Sequence, residues 1–302
     1  MTGGAGFIGR HLVRTALRSR TNVVVVDRVP RPNFFPASGR LSYIRADVHK
    51  TNSIVSQLPE KADIVHLAAD TSVEKSVKHP LSTIKSNIEL TCIALELARK
   101  LDSERFLFSS TAAVYGDKSG RCRETDSPAP TSPYAVSKLA SEHYCKIYHS
   151  LYRVPTVILR YFNVYGPGQS SDYAGVITRF VSRGLKGKPP IIFGDGNQTR
   201  DFVYVGDVVR ATLTALGASL PGGAVLNIGT GKAISVKLLA ERIVKVLKLE
   251  VLRPTYVSAR PGDVRNSEAD TSLSQKMINF RPSFELDRGL HETVKWVKTG
   301  LG

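Results

Sequence analysis

Three features are scarce in this sequence of 302 residues. Its three cysteines, Cys92, Cys122 and Cys145, are isolated and lack the spacing of a zinc site or a disulfide framework. No apolar run reaches the ~18–20 residues that a membrane span requires, and residues 1–4 do not resemble a secretory signal. We therefore expect a cytoplasmic protein without a bound metal ion or a membrane partner.

Acidic charge is also scarce, since 26 Asp and Glu face 42 Lys and Arg, for a formal net charge of +16. A basic surface attracts nucleic acid, anionic membranes and small phosphorylated ligands alike. Because the cations are scattered along the chain, the charge alone does not choose among these partners. A nucleic-acid-binding module is one alternative, but a specific nucleic-acid partner is not expected.

Apolar runs alternate with amphipathic segments, which predicts a doubly wound α/β fold with a parallel sheet. The predicted strands are 22–26, 64–67, 105–109, 156–160 and 225–228. The predicted helices begin near residues 7, 81, 133, 175, 207, 235 and 287. We expect a dinucleotide-binding domain at 1–165, to which 200–231 returns, and a smaller C-terminal α+β lobe at 166–302.

A glycine-rich segment opens the chain, and Gly3, Gly6 and Gly9 have the spacing that lets backbone approach a pyrophosphate at a helix N-terminus. Asp27 ends the next predicted strand, where a carboxylate can accept hydrogen bonds from a ribose and repel a 2′-phosphate. NAD is therefore favoured over NADP. Arg28 beside it could hold that phosphate or be an ordinary surface charge.

The strand that should precede this glycine loop has almost no residues to form it, because only Met1 precedes Thr2. A first strand is thus missing from the sequence. Either the sequence lacks its true N-terminus, which we expect, or the central position of the sheet is vacant, which would leave backbone groups on both neighbouring strands without partners.

Residues 132–138 have the pattern of a helix that starts with a catalytic tyrosine. Ser132-Pro133 is typical of a helix start, which places Tyr134 in the first turn and Lys138 on the same face. The helix N-terminus, the ammonium group and the cationic nicotinamide would each favour the phenolate and lower the pKa of Tyr134 toward neutrality. Thr111 follows a predicted strand at the sheet edge where ligands bind. The alternative is a half-buried aromatic residue beside a solvated lysine.

Together these motifs resemble the extended short-chain dehydrogenases/reductases, specifically the NAD-dependent nucleotide-sugar epimerases typified by UDP-glucose 4-epimerase. The resemblance spans nearly the whole chain, with motifs at 2–9, 66–69, 109–116, 134–138, 160–167, 194–202 and 260–263. It implies Thr111, Tyr134 and Lys138 as catalytic residues and NAD as the cofactor. It also implies a homodimer, for which the stripe Ile84, Ile88, Thr91 and Leu95 is the predicted contact.

The resemblance also implies residues that bind ligands. Besides the glycines, Asp27, Arg28 and Lys138, the cofactor residues are Phe7, Ile8, Asp47, Val48, Leu67, Ala68, Ala69, Asn87 and Tyr161. Besides Thr111 and Tyr134, the residues for a UDP-sugar are Asn163, Phe193, Arg200, Arg260, Asp263 and Ser267. The alternatives are structural: Asp47 could end a strand, and Arg200 could form an ion pair with Asp195 or Asp201.

Ala112 and Ala113 reduce the number of reactions that the site could catalyse. Related dehydratases carry an acid pair after the catalytic threonine and decarboxylases carry a glutamate, whereas two methyl side chains transfer no proton. Epimerisation or simple reduction remains, and UDP-glucose/UDP-galactose 4-epimerisation is the predicted activity. An inactive homologue without cofactor is a further alternative. At Ser267, a small side chain would leave space for an N-acetyl group, or the residue would lie in a surface loop.

Overall fold

The computed structural model describes residues 1–49, 52–169, 175–249, 251–259 and 264–300. The strands are β1 Val23–Asp27, β2 Leu41–Arg45, β3 Ile64–His66, β4 Phe106–Thr111, β5 Thr156–Tyr161, β6 Asn163–Tyr165, β7 Ile191–Phe193, β8 Thr199–Tyr204, β9 Ala224–Ile228, β10 Ala233–Ser235 and β11 Thr255–Val257. The helices are α1 Phe7–Arg18, α2 Asn52–Val55, α3 Val73–Lys78, α4 Pro80–Thr83, α5 Leu90–Lys100, α6 Pro133–Tyr152, α7 Val176–Leu185, α8 Val205–Gly217, α9 Val236–Leu247, α10 Ser272–Ile278 and α11 Leu286–Lys298.

The chain forms two compact units. The first contains Met1–Val114, Ser132–Arg160 and Val209–Leu226, and the second contains Tyr115–Thr131, Tyr161–Val208 and Asn227–Gly302. The sequence-based division at 165 with a return at 200–231 differs from this mainly at 115–131, because that loop packs with the second unit. Among the described residues, no helix is long and apolar enough to cross a membrane.

The first unit is built on a doubly wound sheet, as predicted. β1 and β2 pair in parallel, and β3, β4, β5 and β9 follow one another in a second ladder in which β3 and β4 are parallel. Val25, Phe106 and Leu107 are fully buried, as expected of parallel strands covered on both faces. α5 and α6 pack on this sheet, and Leu95 and Cys145 lie in their shared core.

The position of the missing strand is not vacant, so that alternative is wrong. Thr2 forms parallel bridges to Val26 of β1 and to His66 of β3. Its backbone N–H donates to Val65 O at 3.0 Å and its carbonyl accepts from Leu67 N at 3.1 Å. Met1 O accepts from Val26 N at 2.8 Å. Two residues therefore satisfy the backbone groups that would otherwise lack partners, and they join β1 to β3 without forming a full strand.

The second unit has its own core between short strands and three helices. β8 lies between β6 and β10, and β7 pairs in parallel with β11. The apolar faces of α7, α9 and α11 meet around Phe180, Ile192 and Leu239, which are at most 2% exposed. This core supports β8 and the segment 265–269, which carry the predicted substrate residues.

The sequence pattern predicted the long helices and the buried strands to within a few residues. It did not predict the π-helical segment Ile84–Glu89 or the 3-10 turn Ala112–Tyr115. Both are short departures from regular helix geometry, which apolar periodicity does not indicate. Both lie beside the candidate site.

Candidate active site

The start of α6 places the predicted base. Ser132 is the N-cap and its Oγ accepts from Ala135 N at 3.2 Å, while Pro133 occupies the first turn, as predicted. The N–H of Tyr134 donates to Ser76 Oγ at 3.1 Å. Tyr134 and Lys138 are both less than 10% exposed. The tyrosine and the lysine are thus buried, ordered side chains, and the alternative of a solvated lysine is wrong.

Thr111 lies at the carboxyl end of β4 and contacts the tyrosine. Its Oγ1 accepts from Ala113 N at 3.2 Å within the 3-10 turn, and it forms a hydrogen bond with Tyr134. Because a hydroxyl carries one proton, Thr111 accepts from the backbone and donates toward the phenol oxygen. The structure therefore brings two of the predicted catalytic groups into direct contact.

The electrostatics differ from the sequence expectation. Burial raises the pKa of Tyr134 to about 12, and the hydrogen bond from Thr111 acts in the opposite direction. Burial also lowers the pKa of Lys138 to about 8. The predicted lowering of the pKa of Tyr134 is thus not achieved by the protein groups around it, because desolvation of the phenolate outweighs them.

Lys138 is held by the backbone of β4. Its Nζ donates to Ser109 O at 2.7 Å and lies 4.6 Å from the centroid of the Phe108 ring. The carbonyl and the ring face both stabilise an ammonium group in a buried position. A lysine held in this way is a fixed positive charge one helical turn from Tyr134.

The π-helical segment gives Asn87 its position. Asn87 is 1% exposed, and its amide donates to Ser137 Oγ at 2.9 Å and to Asp70 O at 3.0 Å while accepting from Asp70 N at 2.8 Å. Ser137 in turn donates to Tyr134 O at 2.7 Å. Asn87 therefore fastens the loop after β3 to the first turn of α6.

The glycine loop fits a dinucleotide. A Cβ on Gly3, which has φ +70°, would lie 2.7 Å from Ala68 N, and a Cβ on Gly9 would lie 2.5 Å from Gly3 O. Gly6 is the exposed N-cap of α1, and the first turn of α1 has no acidic residue. Asp27 accepts from Ala5 N at 3.0 Å, which ties the end of β1 to this loop. A pyrophosphate bound at this loop would meet bare backbone and a helix N-terminus.

His66 is a functional candidate that sequence reasoning missed. Its Nδ1 lies 2.7 Å from Thr2 Oγ1 and its Nε2 lies 3.3 Å from Thr91 Oγ1, which itself donates to Asn87 O at 2.7 Å. Burial lowers the pKa of His66 to about 3, so the ring is neutral. It joins the glycine loop to the segment that carries Asn87. Its position next to the Leu67-Ala68-Ala69 motif was the available signal.

The remaining cofactor candidates lie around this loop. Phe7 and Ile8 form the first turn of α1, and Leu67, Ala68 and Ala69 are half-buried beyond β3. Asp47 accepts from both the backbone N–H and the ring Nδ1 of His49, which lowers the pKa of its carboxyl. Val48 packs in the core, and Arg28 is exposed.

Besides Thr111 and Tyr134, the predicted substrate residues that the structure describes lie in the second unit. Arg200 is 9% exposed, and its Nη1 donates to Thr199 O at 2.7 Å. Asn163 donates to Asp201 O at 3.3 Å, and Phe193 is half-buried. Tyr161, predicted for the cofactor, is buried in the same unit. Arg260 and Asp263 lie outside the described residues.

Asp195, one of the two alternative partners of Arg200, pairs with a different arginine. Asp195 forms a bidentate pair with Arg265 at 2.8 and 2.9 Å. Ser267 is 8% exposed and accepts from Asp201 N at 2.9 Å through its carbonyl, so it is not a surface residue. The segment that begins at Arg265 thus runs along β8 beside Arg200.

The sequence indicated Asp201 only as an alternative ion-pair partner of Arg200. Its fully buried carboxylate accepts from Thr230 N at 2.8 Å, from Gly231 N at 2.8 Å and from Ala269 N at 3.2 Å, as well as from the hydroxyl of Thr230. Burial raises the pKa of this carboxyl against those hydrogen bonds. Asp201 therefore joins three segments around the predicted substrate residues.

Comparison with known proteins agrees with this geometry. Residues 1–229 match the model of the NAD dependent epimerase/dehydratase family. A crystal structure of UDP-glucose 4-epimerase from Thermotoga maritima with UDP-glucose is 34% identical, with a TM-score of 0.92, over 100% of this chain and 98% of that chain.

Two further solved structures carry other sugars. UDP-N-acetylglucosamine 4-epimerase from Methanobrevibacter ruminantium is 34% identical with a TM-score of 0.92, and UDP-glucuronic acid 4-epimerase from Bacillus cereus, in complex with UDP-glucuronic acid and NAD, is 34% identical with a TM-score of 0.89. Each match covers 99% of this chain; they cover 97% of the M. ruminantium chain and 98% of the B. cereus chain. The resemblance found in the sequence is confirmed: this chain belongs to the NAD-dependent epimerase/dehydratase family, whose members act on nucleotide sugars.

Proposed function

We propose that this protein is a nucleotide-sugar 4-epimerase that interconverts UDP-glucose and UDP-galactose. The observation that carries the proposal is the contact of the half-buried Thr111 with the buried Tyr134, one helical turn from the buried Lys138. Ala112 and Ala113 follow Thr111 in the 3-10 turn. The set of Thr111, Tyr134 and Lys138 contains one hydroxyl pair that can move a proton to and from a sugar oxygen. The residues that follow it carry no acid for a second proton transfer.

The cofactor residues of the first unit would hold NAD. The glycine loop and the N-terminus of α1 would bind the pyrophosphate, Asp27 would accept from the adenosine ribose, and Lys138 would bind the nicotinamide ribose. NAD⁺ supplies a hydride acceptor and, in its reduced form, a hydride donor. The exposed Gly6 and the first turn of α1, which lacks acidic residues, support this assignment.

The protein groups would then move one proton. Tyr134 takes the proton of the sugar 4-hydroxyl as C4 is oxidised, and it returns that proton when the 4-keto sugar is reduced on its other face. With substrate bound, Thr111 would turn its single hydroxyl proton from the phenol oxygen to the same sugar oxygen. Because burial raises the pKa of Tyr134 to about 12, the positive charge of Lys138 is needed to favour the phenolate. Lys138 therefore has a role in proton transfer as well as in binding.

The second unit would select the nucleotide and the sugar. Arg200 would pair with the pyrophosphate, Asn163 would donate a hydrogen bond to the substrate, Phe193 would lie by the base, and Ser267 would line the sugar pocket. The burial of Arg200 and Ser267 supports a pocket over a surface loop. Arg260 and Asp263 keep their predicted roles at the pyrophosphate and the ribose.

The test is direct turnover with several sugars. Purified protein with NAD⁺ is incubated with UDP-glucose, UDP-galactose, UDP-N-acetylglucosamine or UDP-glucuronic acid, and products are separated by chromatography. We expect UDP-glucose and UDP-galactose to approach one equilibrium mixture from either side. A 4-keto-6-deoxy sugar or a decarboxylated pentose as the product would contradict the proposal. If UDP-glucuronic acid alone were turned over, the proposed substrate would change from UDP-glucose to UDP-glucuronic acid.

We also propose a cytoplasmic homodimer in which α6 and the segment 80–100 form the contact. The predicted stripe needs correction, because Thr91 contacts His66 and Leu95 lies in the core of its own unit. The exposed apolar side chains nearby are Leu81 at 80%, Leu151 at 67% and Ile84 at 51%. Sedimentation should show a dimer at micromolar concentration for the parent and a monomer for Leu151→Glu. A monomeric parent would contradict the dimer.

A further inference from the structure

A buried ion pair lies on the same face of α6 as the catalytic residues. Glu142 is 1% exposed and follows Lys138 by four residues and Tyr134 by eight, so the three side chains share one helix face. The proposed proton transfer uses Tyr134 and Lys138 but assigns nothing to Glu142. A carboxylate is seldom buried at such a position without a partner.

The carboxylate of Glu142 joins three elements of the first unit. Arg160, at the end of β5, donates from Nε to Oε1 at 3.0 Å and from Nη2 to Oε2 at 2.7 Å. Ser110 of β4 donates to Oε1 through its hydroxyl. Ser110 directly precedes Thr111, so Glu142 holds the strand end that presents the catalytic hydroxyl. The side chain of Arg160 is 3% exposed, and this pair is therefore out of contact with solvent.

We propose that Glu142 is a positioning residue for the proton transfer. It anchors the Thr111 segment through Ser110, and it cancels the charge of Arg160 so that Lys138 keeps its proton next to Tyr134. This proposal rests on the proposed function only for its kinetic effect. The electrostatic effect on Lys138 belongs to the chain itself.

The charged groups near Lys138 support this role. Glu142 and Cys145 on α6 act to raise the pKa of Lys138, against the lowering by burial. Burial raises the pKa of the Cys145 thiol well above its ordinary value, so it is neutral. The carboxyl group of Glu142 pairs with Arg160. From β3, His66 faces Lys138 as a neutral ring. Asp70 acts on Tyr134 and forms an ion pair with Lys75.

The two partners of the pair should act with opposite sign. In Glu142→Gln the charge of Arg160 remains, so a buried positive charge is added and the pKa of Lys138 falls. In Arg160→Gln the carboxyl group of Glu142 loses its charged partner, and while it is ionised it raises the pKa of Lys138. In the double variant Glu142→Gln/Arg160→Gln both charges are absent, and the pKa of Lys138 should return close to that of the parent.

The experiment measures the titration of Lys138 directly. Protein labelled with ¹³C at lysine Cε is titrated with NAD⁺ bound, and the Lys138 signal is assigned by its absence in Lys138→Arg. We expect a downward shift of about one pH unit in Glu142→Gln, an upward shift of similar size in Arg160→Gln, and less than about half a unit in the double variant. Glu104→Gln is the matched control, because that exposed carboxylate pairs with Lys61.

The kinetic arm uses the same variants with UDP-galactose. The alkaline limb of the kcat profile should move in the direction of the Lys138 titration, and Ser110→Ala should lower kcat several-fold without moving that limb. If no variant has turnover but the titrations shift as expected, the proposed function fails and the electrostatic role stands.

Several results would overturn the proposal. These are an unshifted Lys138 titration in the single variants, shifts of the same sign in both, or a loss of thermal stability with an unchanged pH profile. Because breaking a buried pair can unfold a protein, the double variant decides if neither single variant folds. It must then fold and titrate like the parent, and a shift of about one unit would contradict the role.

Discussion

The two units each bury a carboxylate beside their candidate site, and they stabilise it in different ways. In the first unit Glu142 faces the guanidinium of Arg160. In the second unit Asp201 faces the backbone N–H groups of Thr230, Gly231 and Ala269. The positive charge of Arg160 balances the carboxylate of Glu142, whereas backbone N–H dipoles stabilise the carboxylate of Asp201.

The two carboxylates are therefore expected to have different roles: Glu142 acts on the charge of the reacting groups, and Asp201 acts on the position of the backbone around the substrate residues. The charge pair on the Lys138 face of α6 controls the protonation of the groups that react, so the loss of either partner alone should alter rate and pH dependence. A carboxylate solvated by loop N–H groups controls where three backbone segments lie, so its loss should alter stability and substrate affinity. Each prediction below places a substitution on one side of this division.

The largest effect is expected for Tyr134→Phe in the first unit. The variant keeps the ring and loses the ionisable oxygen, so kcat should fall by ~10³-fold or more while folding and nucleotide binding are retained. Turnover by chromatography and binding by calorimetry check this. Epimerisation within tenfold of the parent would remove Tyr134 from the mechanism.

A smaller effect, on both rate and cofactor, is expected for Lys138→Ala. Loss of the ammonium should lower kcat by ~10²-fold and weaken NAD retention. In the parent, the pKa of Lys138 is lowered from 10.5 to about 8, so kcat should fall as pH rises through about 8. As pH rises, Lys138 loses its proton at about pH 8 in the folded protein but only near pH 10.5 in the unfolded chain. The contribution of Lys138 to the free energy of unfolding therefore rises between these two pH values. A change in rate without a change in NAD binding would contradict the double role.

For the second unit, Asp201→Ala should lower stability more than it lowers kcat. Three buried N–H groups lose their acceptor, which costs about 3 kcal/mol or more of unfolding free energy. KM for the nucleotide sugar should rise because β8 and the Ser267 segment lose their common anchor. Urea unfolding and steady-state kinetics check this, with the exposed Asp287→Ala as a control. A fall in kcat at unchanged KM would contradict the expectation that Asp201 acts on stability and substrate affinity and not on rate.

A finer effect is expected at Ser267. If this residue lines the sugar pocket, Ser267→Tyr should reduce kcat/KM for UDP-N-acetylgalactosamine about tenfold or more relative to UDP-galactose. Ser267→Ala is the size-matched control and should leave the ratio unchanged. An unchanged ratio in the tyrosine variant would show that other groups select the sugar.

The smallest effect is expected at the cap of α6. Ser132→Ala removes the acceptor for Ala135 N and should cost about 1 kcal/mol of unfolding free energy. The rate should change little as long as Ser76 holds the N–H of Tyr134. Thermal unfolding of the variant measures the cost, and a kcat loss beyond tenfold would show that the cap also positions the tyrosine.

Much of the first unit could be predicted from its sequence. The glycine spacing, the Ser132-Pro133 start and the apolar strands each act locally, so they indicated the fold and placed Tyr134 and Lys138 on one helix face. The pKa of Tyr134 could not be predicted, because it depends on burial among residues distant in sequence. His66 and Glu142 were missed for the same reason, since their partners lie 25 to 64 and 18 to 32 residues away.

The second unit was less predictable. Its strands are as short as three residues, and the pairing of β8 with residues 265–267 joins segments more than sixty residues apart. Such contacts leave no periodic signal. Arg200 could be named from its motif, but the pairing of Asp195 with Arg265, which lie 70 residues apart, required the fold.

The central claim is that Tyr134 takes and returns the proton of the 4-hydroxyl, while NAD held by the first unit would supply the hydride acceptor and donor for the same C4 atom. The most direct measurement follows UDP-galactose deuterated at C4 by mass spectrometry and NMR. We predict UDP-glucose that retains the deuterium at C4, with no need for added reductant, and no product in Tyr134→Phe. Loss of the label to solvent, or product that forms only with added NADH, would contradict the account.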